Sequence, residues 1–206
     1  MLAQRRYNEI REQIQQGDII AFGGKGHVSN LIKLFTLSSV SHIAVVLKDK
    51  YPHTNTDGTI TDTRVNNIIE STTLNGFSGV VVNRLSKRLK DYSGEVWWLP
   101  LSDETREKIN FDIFYSWLMK QKGKLYDDWQ AIGSAFDLIP DNKEDFNLFF
   151  CSELAAAALE RSGGISNINC SEIIPIELCR WNIYKGMYYQ LSGERKEIKR
   201  FNSIKI

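Results

Sequence analysis

The chain has 206 residues, with 26 basic and 25 acidic side chains and a formal net charge of +1. This length suits one domain, which we expect to span residues 1–206, and shares of 42% hydrophobic and 25% charged residues are ordinary for a globular protein. The near-zero charge and the lack of a basic cluster argue against a nucleic-acid partner.

The N-terminal segment interrupts its apolar residues with charges, whereas a secretory signal needs an unbroken apolar stretch of roughly 7–15 residues. No window of the sequence approaches the ~18 consecutive apolar residues of a membrane-spanning helix. These features predict a cytoplasmic protein without a transmembrane segment. Cys151, Cys170 and Cys179 show no CxxC spacing, so we expect no disulfide framework, no metal site and no cofactor.

The start of the chain is predicted to run helix, strand, glycine turn, helix. Residues 2–16 carry apolar side chains at helical spacing and precede Gly17, which tolerates the positive φ of a helix end. Residues 18–22 form a short apolar run that predicts a strand. A glycine-rich turn over residues 23–26 follows, and residues 28–35 place leucine and phenylalanine side chains on one helical face.

Four short runs bounded by polar residues predict neighbouring strands of a sheet: residues 42–47, 65–71, 79–84 and 95–100. The first run is almost entirely apolar, which is typical of a strand covered on both faces. Residues 51–64 are polar and contain the turn dipeptide Asp57-Gly58, so we expect a hairpin tip or loop there.

The segment that begins at Ser102 is predicted to be a helix. Ser102 is a typical N-cap with two acidic residues behind it, and the helix should run toward Lys122 before a glycine. Three of its apolar positions are predicted to face the core: Ile109, Ile113 and Leu118.

The C-terminal third predicts two more helices and a hairpin. Residues 128–136 indicate one helix, and residues 149–161 indicate another, which ends at Gly163-Gly164 and has Cys151 near its start. The tail is predicted to form a hairpin around Ser192-Gly193. The predicted fold class is therefore α+β, a sheet with helices packed on it.

Cys151 is the candidate nucleophile. A thiol reacts as thiolate, and the free N–H groups and positive dipole at a helix start lower its pKa. Cys170 and Cys179 lie in segments without this feature, and we interpret them as structural. Because a single cysteine is more often a buried core residue than a nucleophile, Cys151 needs a base beside it.

His42 is the candidate base, because it stands at the entrance to the apolar strand, a rigid position for an imidazole. His27 and His53 lie in glycine-rich or polar loops. Glu70, at the end of an apolar pair in the next predicted strand, is the candidate group that accepts a hydrogen bond from the other ring nitrogen. An ordinary strand carboxylate is the alternative interpretation of Glu70.

Negative charge that develops on an attacked carbonyl needs hydrogen-bond donors. We predict the backbone N–H of Cys151 and the side chain of Tyr126 in this role, with Ser41, next to the base, as a further candidate for substrate or oxyanion binding. Catalysis also requires that the His42 imidazole meets the Cys151 sulfur in space and that this sulfur is not sealed in the core.

Several segments together resemble the circularly permuted branch of the papain-like NlpC superfamily, the YiiX-like or YaeF-like amidases and peptidases. The likeness is carried by residues 17–20 with 41–46, by 69–71 and by 150–154, and further by 123–127 and 174–178. In ordinary papain-like enzymes the cysteine precedes the histidine, whereas here His42 comes first. The resemblance implies a triad of Cys151, His42 and Glu70 and a cysteine helix packed against a small antiparallel sheet.

The function that the resemblance implies is cleavage of an amide or peptide bond through an acyl-enzyme on Cys151. Some relatives cleave peptides of cell-wall fragments, and others, including lecithin-retinol acyltransferase-like proteins, move acyl groups on lipids. The expected substrate is a small peptide, an amino-acid amide or an acyl lipid; the apolar residues over 31–35 could contact an acyl chain, although core packing is their commoner role. A lipid acyl hydrolase or acyltransferase, and a non-catalytic binding module, are the alternatives.

Overall fold

The computed structural model describes residues 1–24, 38–54, 56–74, 76–125, 146–170 and 173–206. The strands within these ranges are β1 (Leu2–Gln4), β2 (Ile19–Gly24), β3 (His42–Thr54), β4 (Ile60–Leu74), β5 (Phe77–Arg84), β6 (Gly94–Leu99) and β7 (Tyr188–Ser192). The helices in the same ranges are α1 (Tyr7–Ile10), α2 (Leu85–Asp91), α3 (Asp103–Lys108), α4 (Phe111–Gln121), α5 (Phe146–Arg161) and α6 (Pro175–Arg180). Predicted helices over 28–35 and 128–136 lie outside the described residues.

The described strands form one seven-stranded sheet in the order β1-β7-β6-β2-β3-β4-β5. The pair β1–β7 is parallel, and the other neighbours are antiparallel. The architecture is thus mixed α and β, in agreement with the α+β prediction at that level. The first three predicted strand runs lie within β3, β4 and β5, and the fourth overlaps β6 but ends one residue beyond it. The polar segment between the first two runs is a hairpin with Gly58 at φ +80°.

Strand β3 is covered on both faces, as its apolar composition predicts. Its alternate residues Ile43 and Val45 belong to a large core cluster that includes residues of α5. Ala44 and Val46 belong to a smaller cluster on the opposite face, together with Ile14 of the segment after α1. Because side chains alternate across a strand, two buried faces require consecutive apolar residues, which explains the absence of a polar-apolar alternation here.

The predicted N-terminal helix over residues 2–16 is wrong in its extent. Only the four residues of α1 are helical, and Leu2–Gln4 forms β1, which pairs with β7 from the other end of the chain. Burial of Leu2 against that partner is a tertiary interaction that local spacing does not report. Gly17 does adopt the expected positive φ, at +85°.

The predicted continuous helix after Ser102 is also wrong. Ser102 is the N-cap, with its hydroxyl accepting from Thr105 N, but the helix ends at Lys108 and a second one begins after Asn110. Asn110 caps this second helix through its side chain, and its backbone N–H donates to Ser162 O at 2.8 Å. The interruption shifts the helical phase, so Ile113 is exposed, although Ile109 and Leu118 are buried as predicted.

The predicted C-terminal hairpin is absent from the described residues, where β7 instead pairs with β6 and β1. The chain after Gly193 is held by the Gln190 side chain, which donates to Glu194 O at 2.6 Å and accepts from Lys196 N at 3.0 Å. A side chain therefore satisfies backbone groups that a second strand would otherwise pair.

Asp18 ties the start of β2 to the segment around α3. Its carboxylate is fully buried and accepts hydrogen bonds from Gln15 N at 2.8 Å, Leu101 N at 2.9 Å and Trp98 Nε1 at 2.8 Å. Arg106 supplies the counter-charge. Four donors on one buried carboxylate make it a structural group.

We expect Asp18→Ala to lower the free energy of unfolding by about 3 kcal/mol, because it leaves the partly buried Arg106 and several donors unpaired. Urea denaturation followed by circular dichroism measures this change. The control Asp91→Ala removes an exposed carboxylate at the end of α2 and should stay within about 0.5 kcal/mol of wild type. Equal stability of the two variants would contradict the assigned role of Asp18.

Candidate active site

His42 and Glu70 are brought together by the sheet. His42 begins β3 and lies opposite Phe22 of β2, and Glu70 lies in β4, the next strand of the sheet. The His42 Nε2 and Glu70 Oε2 atoms are 2.7 Å apart. This is the distance of a strong hydrogen bond in which the ring N–H donates to the carboxylate.

The Glu70 carboxylate is wholly enclosed, with a side-chain exposure of 0%. Its Oε1 accepts from Asn83 Nδ2 at 3.0 Å and from Arg88 Nε at 2.9 Å, and its Oε2 also accepts from Arg88 Nη2 at 3.3 Å. Burial by itself would raise the pKa of Glu70, but the hydrogen bond and charge of His42, with the charge of Arg88, lower that pKa to about 2. Glu70 is therefore an ionised carboxylate across the physiological range.

The third predicted member, Cys151, lies in α5 and hydrogen bonds with the His42 ring. Because Glu70 takes Nε2, Nδ1 is the ring nitrogen left for the sulfur. Burial tends to lower the pKa of His42, but the interactions with Cys151 and then those with Glu70 outweigh it and raise that pKa to about 9. The three side chains thus form a chain of contacts from carboxylate to imidazole to sulfur.

The imidazole reaches groups from both faces of the sheet at the end of β3. Its ring centroid lies 5.4 Å from that of Phe22, a member of the smaller core cluster. Cys151 belongs to the larger cluster on the α5 side. His42 is the first residue of β3.

Cys151 does not lie at the start of its helix as predicted. It is the sixth residue of α5, so its N–H is not among the first four, which lack an acceptor within the helix. The dipole effect also fades after the first turn, and so His42 is the main group available to stabilise a thiolate. An N–H at this position of a helix donates to the carbonyl four residues back, so the helix gives no support to the prediction that the Cys151 N–H binds an oxyanion, and it stays a prediction.

The Cys151 residue is 1% exposed, and the His42 side chain is 14% exposed. The sulfur meets the imidazole, which is the first of the two conditions for catalysis, but the second condition is not met in this structure, because the sulfur is enclosed in the larger core cluster. A substrate carbonyl can reach the sulfur only after the atoms that cover it are displaced.

The remaining predicted site residues have other surroundings. Ser41 is buried, and its hydroxyl donates to Phe22 O at 3.3 Å, so it stabilises the β2–β3 junction in this conformation. Tyr126 lies outside the described residues. Burial, and then Glu160, raise the pKa of Cys170 to about 12, and burial raises the pKa of Cys179 further, so neither thiol is activated.

Two functional candidates were missed by the sequence analysis, Asn83 and Arg88. Arg88 lies in α2, where Lys87 and Lys90, with Arg84 just before the helix, give the same local signal of a charged helix. Nothing in the spacing distinguishes the one that pairs with Glu70, since that partner is in a different strand. Only the position of the helix relative to the sheet selects Arg88.

No family model matches the chain, and no curated protein is significantly similar to it. In the described ranges, none of the helices combines the length and the apolar character needed to cross a bilayer. The same ranges contain no cluster of three or more histidine, cysteine, aspartate or glutamate side chains arranged to hold a metal ion.

We expect Cys151→Ala to lower the pKa of His42 from its value near 9, because the substitution removes the thiolate charge and its hydrogen bond. The chain has three histidines, and a spectrum of His42→Asn assigns the signal, so NMR titration of the ring nitrogens measures this pKa. Cys170→Ala, which removes a thiol elsewhere, should leave it unchanged. The same pKa of His42 in wild type, Cys151→Ala and Cys170→Ala would contradict the contact between His42 and Cys151.

Acid should destabilise the fold through Glu70. Because its pKa is about 4.5 in the unfolded chain and about 2 in the fold, the stabilisation is complete above pH 4.5 and is lost as the pH falls toward 2. Between these limits we expect wild type to lose about 2–3 kcal/mol more stability than Glu70→Gln. Urea denaturation at a series of pH values measures the loss, and Glu104→Gln, an exposed control, should follow wild type.

Proposed function

We propose that this chain is a thiol hydrolase in which Cys151 attacks the carbonyl of an amide or peptide bond, with His42 as the base and Glu70 as the group that orients it. The observation that carries the proposal is the position of one imidazole between a buried carboxylate at 2.7 Å and a cysteine sulfur. A Cys-His pair with a third hydrogen-bonding group is the arrangement that nucleophilic catalysis requires.

The proposed reaction proceeds in two halves. The thiol proton passes to His42 Nδ1, whose pKa of about 9 favours the imidazolium at neutral pH, and the sulfur bonds to the carbonyl carbon. The imidazolium then gives that proton to the leaving amine as the C–N bond breaks, which leaves a thioester on Cys151 and a free amine. In the second half the neutral His42 takes a proton from water as the oxygen of that water bonds to the thioester carbon. The C–S bond then breaks, the acid leaves, and the imidazolium proton returns to the sulfur.

Glu70 has a distinct part in this reaction. Its hydrogen bond to Nε2 keeps Nδ1 facing the sulfur, and its charge favours the imidazolium that forms in each half. The Glu70 carboxylate does not take the proton itself, because its pKa of about 2 lies far below that of His42. Tyr126 remains our proposed donor to the oxyanion.

The fold that we propose is the permuted papain-like fold of the NlpC superfamily. Three observations support it: the histidine and the glutamate lie on neighbouring strands, the cysteine lies on a helix packed on the same sheet, and the chain order is histidine, glutamate, cysteine. We propose a small peptide or amino-acid amide as substrate, in agreement with this assignment.

The burial of Cys151, with an exposure of 1%, favours a second candidate function, a binding module that keeps the fold without turnover. A cysteine that only packs has no need to become accessible. The two functions differ in one measurable property, the reactivity of this sulfur toward a substrate-like carbonyl compound.

We expect a dipeptidyl chloromethyl ketone to alkylate Cys151, because the ketone binds as a carbonyl and the thiolate displaces chloride. Mass spectrometry of proteolytic fragments locates the label and gives its rate. His42→Ala should keep its circular dichroism spectrum and label at least about 100-fold more slowly, since general-base catalysis supplies roughly that factor or more. Cys170→Ala serves as the control and should label like wild type.

The labelling results separate the hydrolase from the binding module. Label on Cys170 or Cys179 alone, or an undiminished rate in His42→Ala, would remove the proposed nucleophile and base. No label anywhere, with the chain folded, would favour the binding module. If Cys151 is labelled, hydrolysis of amino-acid amides supports the amidase, and activity on acyl esters alone identifies the lipid-directed alternative that uses the same residues.

A further inference from the structure

Arg88 makes several contacts near the candidate site, and the proposed reaction gives them no role. Its guanidinium donates to both oxygens of Glu70, from Nε at 2.9 Å and from Nη2 at 3.3 Å. Its Cζ atom lies 5.2 Å from the ring centroid of Phe22 and 5.1 Å from that of Tyr92. The side chain is only 12% exposed.

These contacts fix the guanidinium in place. A bidentate contact with a carboxylate aligns the planes of the two groups, and aromatic rings beside a guanidinium favour the cation. Asn83 holds the same Oε1 atom at 3.0 Å. The carboxylate therefore has one orientation, in which Oε2 points at the His42 ring.

Arg88 also compensates the buried negative charge of Glu70. During the proposed reaction His42 gains and loses a proton in each half, so it is a counter-ion for Glu70 only part of the time. A buried carboxylate without a cation is strongly disfavoured. A guanidinium is a permanent cation in proteins, so the contact with Arg88 leaves Glu70 a cation while His42 is neutral.

We infer that Arg88 is a positioning residue, which fixes the Glu70 carboxylate toward His42 and neutralises its charge so that the imidazole can release its proton. This inference deepens the proposed function and rests on it for its catalytic meaning. The effect of the Arg88 charge on the pKa of His42 is a property of the protein without substrate. Arg88 acts through Glu70 and does not contact the reacting atoms.

Within the described residues, several elements contribute polar or charged side chains around the pair of His42 and Glu70. Glu70 comes from β4, Cys151 from α5 and Arg88 from α2, and Tyr92 follows α2 with its ring 4.9 Å from Phe22. Burial raises the pKa of Tyr92 to about 12, so this phenol stays neutral while His42 titrates. Removal of Arg88 therefore leaves a net negative environment around the imidazole.

The test is an NMR titration of the His42 ring in variants of Arg88. Arg88→Met removes both charge and hydrogen bonds, and Arg88→Gln keeps a donor for Glu70 while it removes the charge. In both variants we expect the pKa of His42 to rise by about one unit, because the unneutralised carboxylate holds the imidazolium proton more tightly. Arg88→Lys, which retains the charge, should restore a value close to wild type.

Arg84→Met is the matched control, because it makes the same change at an exposed arginine at the end of β5, four residues earlier. It should leave the His42 titration unchanged. Circular dichroism verifies that each variant folds, and Arg88→Gln and Arg88→Lys carry the test if Arg88→Met does not fold. An unchanged or lowered pKa in Arg88→Gln, or an equal rise in Arg88→Lys, would overturn the inference.

The titration needs no substrate, so its outcome is independent of the labelling of Cys151. If Cys151 is not labelled but the His42 pKa rises as expected, the proposed hydrolase fails and the electrostatic role of Arg88 stands. If Cys151 is labelled and the pKa does not move, the hydrolase stands and Arg88 is only a packing residue.

Discussion

The buried charge of Glu70 is the constraint on which the candidate site depends. A carboxylate removed from water is stable only when its oxygens are paired, and here the donors come from three separate elements. His42 begins β3, Asn83 belongs to β5 and Arg88 belongs to α2. The same contacts that compensate the charge also orient the imidazole, so the stability of this part of the fold and the geometry of the site have one cause.

The surroundings of the thiol follow from that arrangement. Cys151 lies in the second turn of α5, where the helix dipole gives little help, and the His42 imidazole is the group that contacts its sulfur. With an exposure of 1%, the sulfur is closed to solvent. In the proposed reaction, activation of the sulfur and access to it are therefore separate properties, controlled by different contacts.

The strands of the central sheet were predictable because their signals are local. Runs of β-branched and apolar residues bounded by turn residues mark β3 to β6, and the nearly continuous apolar run at 43–47 indicates burial on both faces. The wrong predictions concern elements that depend on partners far away in the chain. Strand β1 depends on β7 at the opposite end of the chain, and Asn110 starts a new helix where its backbone meets Ser162. Neither partner is visible in the spacing of neighbouring residues.

The sequence by itself determined which side chains could carry chemistry: a cysteine on a late helix, a histidine at a strand entrance and a glutamate in the next strand. Those assignments need only residue type and position in an element. Tertiary structure alone decided that the His42 ring lies between Glu70 and Cys151, that Arg88 and not a neighbouring cation neutralises Glu70, and that the sulfur is enclosed. The physical reason is that pairing and burial of charge are long-range properties, set by how elements pack against one another.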